Sequence, residues 1–445
     1  MGSGPALSVV GLGKLGACSA ACFAAKGFQV TGVDINRDFV DAINRGEAPV
    51  REPRLQEMIN LSQGRLRATR DYEEAMRVSD ITFLIVPTPS RTDGHFSDKY
   101  LKDALTHLAG ALGKLDKEYH IFVITSTVSP GTTEKTLIPL IESVSGRKLN
   151  RDFGVSYNPE FIALGSVITD FLNPDMVLIG GSDPSVCETL EGIYSVVCEN
   201  RPRMAKMSII SAEVTKISLN SFVTMKISFA NTLANICRRM PGADIDHITA
   251  ALGADKRISP HYLKGGLSFG GPCFPRDNRA FAAFAREHGV EARLAMATDE
   301  INRTQTDLLV DMIMGHVPEA DGSVVGVLGL AYKPNTPVIE ESAAIRLIEG
   351  LLEKNLEVIA YDPIATDTAR AHFGDRILYA SSARDCFQSA TVCVLTTPCE
   401  EFKAIDGSYI AHNPTTIVDC WRLLDGAKFG EGINYLALGR YNNGK

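Results

Sequence analysis

Few side chains can form a covalent bond to a substrate at neutral pH, and one of them, Cys273, has unusual neighbours. The segment LSFGGPCFPRDN (267–278) places it behind Gly270 and Gly271 and between Pro272 and Pro275, with Arg276 and Asp277 following. Glycine permits backbone shapes and close approaches that a Cβ blocks, and proline fixes φ and removes a donor. This fits a thiol held at the rim of a pocket. It equally fits a tight turn with a buried cysteine acting as a small hydrophobe.

A second pair is Lys216 and Asn220, four residues apart in AEVTKISLNSF, which puts them on one face of a helix. Their neighbours are mostly apolar, and a lysine in such a setting is costly unless paired or used. Together they could donate hydrogen bonds to an oxygen that gains negative charge as a hydride leaves its carbon. A snorkelling lysine and a solvated asparagine are the plainer alternative. Glu160 in YNPEF and Thr127 in TSTVSPGT follow apolar runs, where α/β proteins place ligand-binding loops; each also reads as an ordinary loop residue.

The segment GLGKLG comprises Gly11, Leu12, Gly13, Lys14, Leu15 and Gly16. It follows an apolar strand and opens a helix, and Asp34 ends the next strand. In that context Gly11 permits the tight turn, Gly13 admits a pyrophosphate and Gly16 allows close helix–strand packing. The helix start offers N–H groups to phosphate. Asp34 accepts from the ribose hydroxyls and repels a 2′-phosphate, so NAD is expected over NADP. A later segment, GVLGLAYK, lacks the third glycine but has Asp362 in the position of Asp34; it could take a different nucleotide, such as that of a substrate.

These residues need a scaffold. ALSVVGLG, FQVTGVDIN, ITFLIVPTP and HIFVITSTV alternate with helical patterns, and FGVSYNPEF and MVLIGG extend the series; the alternation predicts a parallel sheet covered by helices. From Met207 some thirty residues lack Gly and Pro, with Val214, Ile217, Phe222, Ile227 and Leu233 at helical spacing, which predicts one long helix ending near Pro241-Gly242. A second helical stretch covers 292–314. VVGVLGLAYK, LEVIAYDP, TVCVLTTP and TIVDCW then repeat the first theme in kind and order. The expected fold class is α/β: two doubly wound, Rossmann-like domains (1–206 for NAD, 317–445 for a UDP-sugar) joined by a long central helix and a helical middle domain (207–316).

Bulk properties narrow the function classes. A 445-residue chain with 45% hydrophobic and 22% charged residues has the composition of a folded multidomain protein. A net charge of −8 argues against a general nucleic-acid-binding role. No apolar run reaches membrane-spanning length, and no secretory signal is expected. Ten cysteines without a CxxC pair or zinc spacing suggest no metal and a reduced, cytoplasmic setting.

Taken in order, GLGKLG, VPTP, STVSPGT, NPEF, AEVTKISLNSFVTMKISFAN, FGGPCFPRD and GLAYKPNT resemble the UDP-glucose/GDP-mannose dehydrogenase family over nearly the whole chain. The resemblance implies four-electron oxidation of a primary alcohol on a small-molecule sugar nucleotide to a carboxylate with two NAD⁺, in a homodimer of such chains. It makes Cys273 the nucleophile toward the C6 aldehyde, through a thiohemiacetal and a thioester. It gives Lys216 and Asn220 the oxygen at C6, Asp277 proton transfer through water, and Thr127 with Glu160 the water and thioester steps. Thr88, Thr127 and Arg276 join the glycine loop on the cofactor. Phe161, Tyr262, Lys264, Phe269, Gly270, Tyr332, Lys333 and Arg422 join Glu160, Lys216 and Asn220 on the substrate, and Arg257 matches an arginine that reaches from a partner subunit.

Three departures stand out. Leu164 occupies a position where many members have a second glutamate, Arg276 replaces a frequent lysine, and TPVIE replaces TDDxR, placing Glu340 where a cofactor-side arginine is frequent. UDP-glucose is the expected substrate. The rivals are a GDP-mannose 6-dehydrogenase, a two-electron β-hydroxyacid-type dehydrogenase, and a nucleotide-binding regulator without catalysis.

Overall fold

Short runs of Val, Ile, Leu and Phe, closed by glycine or polar turns, become strands of two sheets in the computed structural model, which describes residues 4–317, 323–410, 416–430 and 432–441. The first sheet contains β1 (Leu7–Val10), β2 (Val30–Val33), β3 (Leu66–Thr69), β4 (Ile81–Leu84), β5 (His120–Ile124), β6 (Phe153–Tyr157), β7 (Met176–Gly181) and β8 (Arg203–Met207). Their spatial order is β3-β2-β1-β4-β5-β6-β7-β8. All neighbours are parallel except β6 and β7. Every residue of β1 and β4 is buried, which is why these strands read as unbroken apolar runs rather than as alternations.

The second sheet contains β9 (Val324–Leu328), β10 (Glu357–Tyr361), β11 (Leu378–Tyr379), β12 (Val392–Leu395), β13 (Thr416–Asp419) and β14 (Asn434–Ala437), ordered β11-β10-β9-β12-β13-β14 and parallel throughout. That order matches the first six strands of the first sheet, so the echo in the sequence is an echo in topology. In both sheets the order reverses beside the first strand, where open α/β sheets leave a crevice for a ligand.

A 29-residue helix, Ile209–Cys237, runs between the sheets in sequence, and Gly242 turns the chain beyond it with φ +80°. Helices Ile245–Ala254, Phe274–Glu287 and Arg293–Met314 follow. The chain divides into two units, 1–217 and 218–445. Within the second, Leu267, Leu309, Val310 and Ile313 share one hydrophobic cluster with Val325 and Val327. Among the described residues no helix is long and apolar enough to cross a membrane.

One polar side chain inside the first sheet sets a pH dependence. His120 on β5 is fully buried, its Nε2 lies 2.8 Å from Thr82 Oγ1, and burial pushes its pKa down to about 3. The unfolded chain takes up this proton near pH 6.5, which the folded chain does not. Stability is therefore intact above pH 6.5 and lost as pH falls toward 3. Urea denaturation between pH 7 and 4 should show a loss in the parent that His120→Gln reduces by on the order of 3 kcal/mol; equal slopes would remove His120 from the account.

Candidate active site

β1 delivers the chain into the glycine loop, and helix Lys14–Ala25 leaves it. Gly11 has φ +95°, and a Cβ there would lie 2.3 Å from the Ile85 carbonyl oxygen. A Cβ on Gly16 would lie 1.8 Å from the Gly11 oxygen. On Gly13 it would meet nothing within 4 Å, so this side of the loop is open at the helix start, where backbone N–H groups favour phosphate. Asp34, half-buried after β2, accepts from Leu12 N at 2.6 Å through Oδ2 and from Asn36 N at 2.8 Å through Oδ1. The loop, helix start and acid fit a dinucleotide: Gly11 to Gly16 would hold its pyrophosphate and Asp34 its ribose. Asp362 differs. It is 4% exposed, and its two oxygens accept from Leu330 N, Ala331 N, Ile364 N and Ala365 N. It braces its loop and helix start and has little left to offer a ribose.

In the first unit, Glu160 follows β6. Lys216, 8% exposed, donates through Nζ to the Glu160 backbone carbonyl and lies 4.5 Å from the centre of the Phe161 ring. Lys216 is thus a buried, partnered cation rather than a snorkelling one. The Glu160 carboxyl is 3.1 Å from Tyr194 Oη, and burial raises its pKa to about 7 against the opposing influence of Tyr194 and Lys216. Leu164 packs against the apolar cluster that contains Tyr194, so the position of the absent second glutamate is filled by hydrocarbon. One turn before Lys216, the buried Glu213 accepts from Gly131 N and Thr133 N and ties the helix to the loop after Thr127. Thr127 is half-buried and Thr88 buried, each in a loop beyond a strand of this sheet.

In the second unit, Cys273 is exposed and caps the N-terminus of helix Phe274–Glu287. The alternative of a buried, hydrophobe-like cysteine is therefore set aside. Helix starts favour negative charge, which suits a thiolate. Asp277 has no exposed surface; it accepts from Asn220 Nδ2 at 2.6 Å and from Arg276 Nε at 3.0 Å. Asn220, buried, retains a second amide hydrogen for another acceptor. The glycines before the thiol are explained by contact: a Cβ on Gly270 would lie 2.1 Å from the Glu341 carbonyl oxygen, and one on Gly271 would lie 2.6 Å from the Tyr332 ring.

Sequence reasoning missed the groups that hold this segment. Asn231 donates to Leu267 O and accepts from Gly266 N, Asn302 donates to Phe269 O and accepts from Phe269 N, and Gln305 donates to Gly266 O. These buried amides satisfy the backbone of a loop as a strand neighbour would. Tyr194 and Asn158, next to Glu160, were also missed. Only the polar character of Asn231, Asn302 and Gln305 within helical patterns could have drawn attention to them.

The remaining expected site residues lie as follows. Tyr262 is exposed and meets Phe274 edge-on, as does Phe269. Lys264 is exposed, and Lys333 lies over the Tyr332 ring at 5.9 Å. Arg257 is 87% exposed and pairs with Asp255. Arg422 is 1% exposed; it forms a forked ion pair with Asp246 and donates to the Gly265 and Leu438 carbonyls. A substrate would have to displace protein partners to engage this guanidinium. Glu340 is exposed, and its backbone carbonyl accepts from Gly271 N. Among the described residues no group of three His, Cys, Asp or Glu is placed to hold a metal ion.

Residues 6–198 match the NAD binding domain, 210–304 the central domain and 326–426 the UDP binding domain of one family. The chain belongs to the UDP-glucose/GDP-mannose dehydrogenase family. It is 39% identical to the UDP-glucose 6-dehydrogenase AglM of Haloferax volcanii, over 97% of this chain and 99% of that protein. It is 32% identical to a GDP-mannose 6-dehydrogenase of Pseudomonas putida, over 90% and 92%. The solved UDP-glucose dehydrogenase of Pyrobaculum islandicum superposes with a TM-score of 0.86 at 32% identity, over 96% and 98%. With the family's NAD binding domain carrying the glycine loop, the cofactor is NAD.

The raised pKa of Glu160 has a cost that this dehydrogenase should reveal on melting. Between its unfolded value near pH 4.5 and its folded value near pH 7, the folded chain keeps a proton that the unfolded chain releases. Stability therefore falls as pH rises through that window. Glu160→Gln should be more stable than the parent at pH 8 by roughly 2 kcal/mol, allowing for partial exposure, and nearly equal at pH 5. Matching stability at both values would place the Glu160 pKa back in the ordinary range.

Proposed function

We propose that the chain is an NAD-dependent UDP-glucose 6-dehydrogenase that oxidises the C6 hydroxymethyl group of its sugar nucleotide to a carboxylate. The observation that carries this reading is Cys273, an exposed thiol one helical turn from a buried Asp277–Asn220 pair. A two-electron dehydrogenase has no need of a nucleophile there. Bound NAD⁺ supplies the acceptor for hydride. Lys216 and Asn220 donate hydrogen bonds to the C6 oxygen as its charge develops, and Asp277, held by Asn220 and Arg276, exchanges protons through water.

Cys273 sulfur bonds to the aldehyde carbon, and the aldehyde oxygen takes a proton. Loss of a second hydride and the hydroxyl proton then leaves a thioester. Water, oriented by Thr127, gives one proton to Glu160 as its oxygen bonds to the acyl carbon. The acyl–sulfur bond breaks with its electron pair on Cys273. Lys264, Lys333 and Tyr332 serve the substrate in this reading, with the second sheet taking its nucleotide. The relative acting on GDP-mannose keeps that substrate as the rival; a screen of UDP- and GDP-sugars that follows NADH separates the two.

The same reading places the enzyme in the cytoplasm, supported by cysteines that form no disulfide among the described residues, and makes it a homodimer. Phe222, Phe229 and Ile236 are 60%, 53% and 48% exposed and recur every seven residues along one face of the long helix, an apolar stripe suited to a second copy. Arg257 would then serve the neighbouring subunit's substrate.

Two outcomes are expected. Limiting UDP-glucose should yield two NADH per sugar acid, while Glu160→Gln should give a burst of NADH and then stall with an acyl adduct visible by intact-protein mass spectrometry. Cys273→Ala should abolish the adduct, and a stable aldehyde with one NADH would favour the two-electron rival. For assembly, Phe222→Asp with Phe229→Asp should shift light scattering from dimer to monomer; an unchanged mass would clear the helix of that role.

A further inference from the structure

The surroundings of Glu160 contain a hydrogen-bond chain that is fixed at one end. Asn158 Nδ2 donates to the Leu178 carbonyl at 2.8 Å, which turns Oδ1 toward Tyr194 Oη at 2.6 Å. Oδ1 can only accept, so the Tyr194 hydroxyl must be the donor in that contact. The same Oη lies 3.1 Å from Glu160 Oε1. Tyr194 is buried, and its pKa is raised well above the ordinary value by that burial and by Glu160, so it keeps one proton and cannot give it to both neighbours.

We propose that Tyr194 is a positioning residue, a hydroxyl rotor that couples the protonation of Glu160 to the buried acceptor on Asn158. With Glu160 protonated, its O–H donates to Tyr194 and Tyr194 donates to Asn158, and every group is satisfied. With Glu160 ionised, Tyr194 turns its hydrogen to the carboxylate and the Asn158 oxygen loses that donor, which is unfavourable in a buried setting. Competition from Asn158 thus weakens the support that Tyr194 gives the carboxylate and favours the protonated form, adding to the effect of burial. Only one hydrogen has to move.

The other groups around Glu160 do not duplicate this. Lys216 on the long helix acts in the opposite sense. The thiols of Cys22 on the glycine-loop helix and of Cys198 after helix Pro184–Val197 are pushed up to about 12 and about 11 by burial and stay neutral at working pH. Leu164 adds apolar surface against the cluster that includes Tyr194. With hydrocarbon in place of a second carboxylate, burial raises the basicity of the one that remains, and the rotor limits how far Tyr194 offsets that rise.

The proposal rests on the reading of Glu160 as the group that takes a proton from the attacking water, and its test separates the two. The Glu160 carboxyl band is titrated by difference infrared spectroscopy in the full chain, assigned with Glu160→Gln, for the parent, Asn158→Ala, Tyr194→Phe and the double variant. Removing the acceptor frees the Tyr194 hydrogen for the carboxylate, so Asn158→Ala should lower the midpoint by about one pH unit. In the Tyr194→Phe background the same change should move nothing. If Asn158→Ala does not fold, Asn158→Ser, which withdraws the acceptor by shortening the side chain, takes its place. A shift of equal size in both backgrounds, or no shift in either, overturns the rotor. The steady NADH rate after the burst should follow the spectroscopic midpoint; if that midpoint moves as expected while the rate profile stays fixed, the rotor stands and the hydrolytic role of Glu160 falls.

Discussion

A carboxylate removed from water must be given hydrogen-bond donors, and Asp277 imposes this demand on the second unit. Its donors are Asn220 on the long helix and its own neighbour Arg276, so the helix must arrive in one register. Further polar contacts fix that register. Ser221 meets Asn278, Asn231 holds Gly266 and Leu267, and Asn235 meets Gln305. A shift of one residue along the helix would break all of them at once. The thiol of Cys273 has a defined place because the helix it caps is held to the long helix through these polar pairs.

Other buried ionisable groups meet the same demand more fully. Asp362 accepts four backbone N–H groups, Glu213 accepts two, and Arg422 is held by Asp246 and three carbonyls. Glu160 is the exception. Its pKa is raised by burial, and the hydroxyl its carboxyl meets, which opposes that rise, is also engaged by Asn158. Full satisfaction marks a brace, while partial satisfaction leaves a group able to exchange a proton.

The sequence made much of this readable because its signals were local. GLGKLG followed by Asp34 is a contiguous strand–turn–helix pattern, and the alternation of strands and helices announced both sheets. The setting of Cys273 was visible in its glycines and prolines, although the cause of the glycines, the Glu341 carbonyl and the Tyr332 ring, lies far along the chain. Where partners are distant, the pattern was silent. Tyr194 sits on a helix whose periodicity only says that it faces a core. Phe222 fits a buried helical stripe by spacing and is 60% exposed, because spacing marks an apolar face and not what lies against it.

The close fit at Gly270 and Gly271 has a bearing on how such enzymes can be recombined. The stretch that carries the nucleophile is moulded against the Tyr332 ring and the Glu341 carbonyl, both beyond the first strand of the second sheet. Residues 267–278 cannot be transplanted from a relative as a cassette unless the 330–342 loop travels with them. For a designer of chimeric enzymes the unit of exchange is this interlocked pair of segments, and a crossover placed between them would join two halves that were never shaped to each other.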